Sequence, residues 1–214
     1  VWMAVPFLLY PIAEQTVSSS ITGMMNGGLP VVVAVVTAIW TRSLPSAQRM
    51  FAVTIGCAGI VLIALPAIAH GSSADIRGIV LLLIALVCYA VAVNASRPLQ
   101  GKYHPVALML RVELAGCVIS APLGLDGITK SEFSWVSLAA VGALGALGTG
   151  IAFALFAMLA VRTGPVRSMI PTYFTPIVGT FLGVVVNNET LIGLSLIGML
   201  IVIIGAWLTS RPDV

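Results

Sequence analysis

Long apolar stretches separated by short polar steps make up most of the 214-residue chain. Runs bounded by charge, Pro, Gly and Ser cover residues 1–13, 17–40, 50–69, 78–96, 105–125, 135–161, 168–186 and 191–209. A helix needs roughly 20 mainly apolar residues to cross the hydrocarbon of a bilayer. The first run is too short to do so alone; the others have the length. Every connection is short, which leaves no room for a soluble domain. The pattern predicts an all-α membrane protein with eight transmembrane helices, the first incomplete.

Composition strengthens this reading. Hydrophobic residues make up 59% of the chain and charged residues 8%, with a mean hydropathy of +1.12. Soluble domains carry roughly 25% charged residues, so a chain this poor in charge needs lipid as its solvent. The net charge of +3 is small and dispersed, which excludes nucleic acid as a partner. Cys57, Cys88 and Cys117 lie inside apolar runs without metal or CxxC spacing and read as core thiols. His70 and His104 stand at the ends of runs and read as interfacial, so neither a metal nor another cofactor is expected. The N-terminus shows neither a basic n-region nor a cleavage site. It opens on Val1 within an apolar run, which reads as a fragment.

Loop charges orient the spans, because Lys and Arg in short loops favour the cytoplasmic side. Alternate connections place Arg42, Arg49, Arg97, Lys102, Arg162, Arg167 and Arg211 on one side, and only Arg77 and Lys130 on the other. Glu14, Asp75, Asp126, Glu132 and Glu189 all fall on the second side. The expectation is a multi-pass protein of the cell membrane with both ends of the chain cytoplasmic.

A displacement of 146 residues lays residues 17–62 on residues 163–208 without a gap, Pro30 on Pro176, Ile55 on Ile201, Gly59 on Gly205 and Leu62 on Leu208. Each copy is a Pro-interrupted helix, a polar break, and a helix with a late Gly. The charge argument starts the two copies on opposite sides, so they run in opposite senses. Inverted repeats of this kind are a transporter signature, two halves rocking about a central site. The paired interruptions, Gly27, Gly28 and Pro30 in one copy and Pro171 and Pro176 in the other, point to that site, because opened backbone at membrane depth must face protein or a wet cavity.

Residues 146–207 carry a glycine-rich LGTGIAFALF helix, the RTGPVRS turn, the TPIVGTFLGVVVNNETL segment and a final IIGAWL. In this order the chain resembles the EamA family of the drug/metabolite transporter superfamily. The family pattern has a Gly–Glu step before its last helix; here Asn188 and Glu189 stand there, and Arg42 and Ser43 occupy the equivalent place in the first copy. The resemblance implies a ten-helix fold of two inverted five-helix EamA repeats. Residues 1–69 would then be the last three helices of the first repeat, and residues 77–209 the complete second repeat.

Candidate chemistry is sparse. Arg111 and Glu113 are charges deep within a span, which makes them functional candidates by default. Arg111 is close enough to the interface to snorkel, while Glu113 could bind a cation or carry a proton. Ser18, Ser19, Ser20, Thr22 and Asn26 lead into the first broken helix, and Thr172, Tyr173 and Thr175 occupy the corresponding part of the second. With Tyr89 and Asn94, the residues Asn26, Thr172, Tyr173 and Thr175 are candidates to contact solute, the alternative being helix–helix hydrogen bonds. Gly142, Ala146 and Gly150 form a small-residue stripe, and Gly179 with Gly183, like Gly23 with Gly27, forms a GxxxG pair suited to close helix packing.

These features favour a secondary permease for a small metabolite or drug-like solute. No GxxxxGKS/T phosphate loop is present to draw on ATP directly. Neither GxSxG nor HExxH appears, and no pair of aspartates lies within the spans, so an enzyme is not expected. A non-transporting remnant or partner subunit is the alternative. Expected partners are the solute and the lipid bilayer, with a homodimer left open.

Overall fold

A computed structural model describes residues 2–43, 45–70, 73–100, 102–128, 132–163 and 170–209. Lys130, Arg167 and Arg211 of the charge argument lie outside these residues, as does most of the RTGPVRS turn; the side chains of Arg97 and Asp126 do too. Helices α1 (Ala4–Ala13), α2 (Ser19–Asn26), α3 (Leu29–Thr41), α4 (Ala47–His70), α5 (Ser73–Gln100), α6 (Pro105–Ile128) and α7 (Trp135–Ala143) follow in order. A π-helical segment (Leu144–Ile151), α8 (Ala152–Thr163), a 3-10 turn (Ile170–Phe174), α9 (Thr175–Asn187) and α10 (Gly193–Thr209) complete it, with no strand among the described residues.

Four of these segments are long and apolar enough to cross a membrane: Ala47–Pro66, Asp75–Ser96, Pro105–Leu125 and Trp135–Phe156. The α2–α3 pair makes a fifth if its 44° bend counts as one broken span. Among the described residues, four or five of the eight expected spans thus meet this length and composition, with α1 and α10 as shorter apolar helices. The reason is local. Gly27 and Gly28 interrupt one run, and a 3-10 turn carrying Pro171 precedes α9 in another, so neither run is a single straight helix. Pro30 and Pro176 sit in the first turns of α3 and α9, where a missing N–H costs nothing.

The chain forms two compact units. The first, residues 1–95 and 169–214, holds α1–α4, most of α5, α9 and α10. Its core gathers Ala13, Val17, Met24, Met25, Ile60, Ile63, Ala64, Ile79, Leu82 and Val202. Helices α4 and α10 meet along glycines. A Cβ on Gly205 would lie 2.6 Å from Gly56 Cα, one on Gly59 2.6 Å from Val202 N, and one on Gly198 2.8 Å from Ile63 N. As numbers rise along α4 the partners fall along α10, so the two helices are antiparallel. The pairing is also reciprocal at the 146-residue offset: Gly56 faces Gly205, the counterpart of Gly59, and Gly59 faces Val202, the counterpart of Gly56.

The same offset relates the helix ends. Leu29–Thr41 maps onto Thr175–Asn187, and α4 and α10 begin at equivalent positions. Both α3 and α9 stop on a left-handed residue, Arg42 at φ 51° and Asn188 at φ 52°. Such a cap turns the chain sharply out of the helix.

The second unit, residues 96–168, holds α6, α7, the π-helical segment and α8. Its apolar side chains are largely open, Val118 at 73% and Val136 at 79% exposure among them. Faces this greasy are stable only in an apolar solvent. Phe133 and Trp135 stack edge to face at the start of α7, with centroids 5.0 Å apart, an aromatic pair suited to a membrane interface.

Candidate functional site

The first unit draws polar groups together on α1, α2, α3 and α5. The Tyr10 hydroxyl donates to Asn26 Oδ1 at 3.0 Å, and its ring lies 6.2 Å from that of Tyr89, tilted by 43°. Asn26 is the last residue of α2, directly before the glycine break. Further along α5, Asn94 is buried; it accepts from Thr37 Oγ1 at 2.9 Å and donates through Nδ2 to the Ala90 carbonyl at 2.9 Å. Tyr10, Asn26 and Tyr89 thus form one station of uncharged phenol and amide groups, and Thr37 and Asn94 form another. Neither offers a counter-charge.

The residues expected from the second copy are placed differently. The Tyr173 hydroxyl donates to the Ala206 carbonyl at 3.2 Å, tying the 3-10 turn to α10. Thr172 neighbours it in that turn, and Thr175 opens α9, its carbonyl within 3.5 Å of a Cβ built on Gly23. Arg111 lies over the Tyr103 ring, 5.6 Å from the centroid, so its guanidinium reaches back toward the start of its own helix and gains a cation–π contact. Glu113 is half-buried on α6.

The glycines divide. Gly179 meets Gly23, a Cβ on either lying 2.9 Å from the other's Cα, and Gly27 packs on the Pro176 ring. Gly183 lies beneath the Ser20 hydroxyl and the Glu189 carboxylate. The close packing expected at Gly142 and Gly150 is not formed among the described residues. A Cβ at Gly142 would meet nothing within 4 Å, and one at Gly150 only the Gly145 carbonyl of the same segment. These glycines border or occupy a π-helical stretch, in which Thr149 Oγ1 donates to the Leu144 carbonyl at 3.2 Å.

Glu189 takes a role that sequence reasoning did not assign. Its two carboxylate oxygens accept the Ser19 and Ser20 backbone N–H groups, each at 2.9 Å. Ser18 Oγ accepts Ile21 N, and Asn187 Nδ2 donates to Ser19 Oγ. The free N–H groups that begin α2 are therefore satisfied largely by a residue 170 positions away. Burial alone would raise the Glu189 carboxyl, but the donors of Ser20, Ser19 and Asn187 outweigh it and hold it below its usual 4.5. Glu14, at the end of α1, is raised from the same value by burial and by the Glu189 charge. Tyr10 and Thr37 also went unassigned. Tyr10 stood in the run judged too short to span, and Thr37 inside an otherwise apolar one.

Several long apolar helices, two of them joined antiparallel along glycines, mark a multi-pass membrane protein. The chain belongs to the EamA-like transporter family, whose pattern matches residues 76–211. An uncharacterized transporter of Archaeoglobus fulgidus is 26% identical over 117 residues, which is 55% of this chain and 41% of that protein. The chain thus matches less than half the length of that relative. A solved crystal structure described only as that of a protein shares the fold, with a TM-score of 0.59 at 22% identity, covering 95% of this chain and 71% of its own.

Proposed function

We propose that this chain belongs to a secondary permease that moves a small solute by alternating access between two inverted repeats, with both ends of the chain cytoplasmic. The observation that carries the reading is the reciprocal, antiparallel pairing of α4 and α10 at the 146-residue offset, within a chain of the EamA-like transporter family. Copies of opposite sense can exchange roles when the site between them opens to one side and then the other. The neutral stations at Tyr10, Asn26 and Tyr89 and at Thr37 and Asn94 favour a small polar solute with an apolar or aromatic part. Glu113 is the candidate for proton or cation coupling, because an ionisable group within an apolar helix is costly unless used. Reconstitution in vesicles with a panel of radiolabelled amino acids, nucleobases and amphiphiles tests the proposal. Uptake of at least one compound, reduced by Asn26→Ala, is the expected result; a panel without any uptake would count against it. Transport that ignores a pH gradient and survives Glu113→Gln would remove the coupling role.

A further inference from the structure

The contacts of Glu189 mark one end of the seam between α2 and α9. The helices touch backbone to backbone at Gly23 and Gly179, and Gly27 rests on Pro176. Beyond these contacts the left-handed Asn188 turns the chain out of α9, and the Glu189 N–H returns to the Gly183 carbonyl at 3.0 Å. That turn aims the carboxylate at the first N–H groups of α2, where the helix dipole favours negative charge. Ser20 Oγ, completely buried, sits over Gly183 beside it. The equivalent turn after α3 carries no carboxylate. Ser43 stands there, its hydroxyl 2.6 Å from that of Thr41 on the same segment.

We propose that Glu189 is a one-sided latch: its carboxylate ties α9 to α2 across the repeats, holds their seam shut at that end, and biases the protein toward the conformation closed there. This rests on the alternating-access reading above. Opening the seam at the Glu189 end requires giving up two charge-assisted hydrogen bonds, whereas the Ser43 end has no acid to release. Glu189 is accordingly a positioning residue, acting on access to the neutral stations and not on the solute.

Ser20, on α2 and completely buried over Gly183 of α9, reports on the seam. Ser20→Cys, which keeps the backbone N–H, is placed in a background with Cys57, Cys88 and Cys117 changed to Ala, and its alkylation by N-ethylmaleimide is followed in vesicles without solute. Two variants attack the latch from opposite partners. Glu189→Gln removes the charge. Ser19→Pro removes the Ser19 N–H donor, together with the hydroxyl that accepts from Asn187, while sparing the helix, because Ser19 is the first residue of α2, where proline is favoured, and Ser18 at φ −65° and ψ 151° already has the conformation a following proline demands. Losing one hydrogen bond to a charged group corresponds to roughly a tenfold change, so each variant should raise the labelling rate about tenfold over the parent. Rates within twofold of the parent in both variants overturn the latch. A rise in Glu189→Gln with none in Ser19→Pro also overturns it, since the carboxylate would then act elsewhere. Labelling needs no solute, so its failure leaves the permease reading standing, whereas an absence of transport with faster labelling removes the permease reading and the latch's role in access, and leaves only the tie between α2 and α9.

Discussion

Arg42 and Asn188 hold the same backbone conformation, at φ 51° and 52°, yet differ in how well they tolerate it. Asn enters the left-handed region with little strain, while a long side chain there costs roughly 1–2 kcal/mol. Arg42→Gly should therefore raise stability by about 1 kcal/mol, measured by thermal unfolding in detergent, whereas Asn188→Gly should change it far less. Asn94→Leu would remove the acceptor that lies 2.9 Å from Thr37 Oγ1 and is expected to cost about 1 kcal/mol in the same assay. The Glu189 carboxyl is held below its usual 4.5, so its share of stability is fully present above that value and fades as the pH falls through the lowered one. Stability should thus be flat around neutral pH and drop in acid, and Glu189→Gln should remove that acid-sensitive part. Such residue-level facts were only partly legible in the sequence. The Asn–Glu step could be read, but not its target, because Ser19 and Ser20 are brought to it by folding alone.

Helices were easier to read than the contacts between them. The runs from 50 to 125 became α4, α5 and α6 with ends shifted by a few residues, because uninterrupted apolar stretches leave the backbone only its own hydrogen bonds. The breaks at Gly27, Gly28 and Pro171 were visible too, and they shortened the neighbouring helices. Which glycines pack could not be read, since a small-residue stripe looks the same whether it faces a helix or lipid. Gly205 and Gly142 separate the two cases. Gly205→Val would drive a side chain into the Gly56 backbone and should cost about 1–3 kcal/mol or more by overpacking. Gly142→Ala meets nothing and should stay within about 0.5 kcal/mol, with unfolding midpoints in detergent deciding both.

For the molecule as a whole, the offset of 146 residues joins sequence to architecture more directly than any motif. It appears first as sparse identities such as Pro30 with Pro176, then as equal helix bounds and matching left-handed caps. Orientation in the membrane belongs to this scale, and Ser43→Cys and Glu132→Cys test it. Impermeant maleimide should reach them from opposite sides of sealed vesicles, and labelling from one side would refute the inverted arrangement. Four or five of the eight expected spans meet the length and composition of a crossing helix among the described residues, because length in an apolar run is not length in one straight helix.

The seam of α4 and α10 also fixes an order of assembly. Gly56 leaves the ribosome 149 residues before Gly205, its partner in the fold. At roughly 5–20 residues per second, α4 waits about 7–30 s with its glycine face unmatched. During that interval the nascent chain has a groove into which a foreign helix, or α10 of a neighbouring copy, could seat. Chains released before Gly193 would keep that groove permanently, so their aggregation or degradation should depend on Gly56 and Gly59 and subside when a separately expressed α10 is supplied.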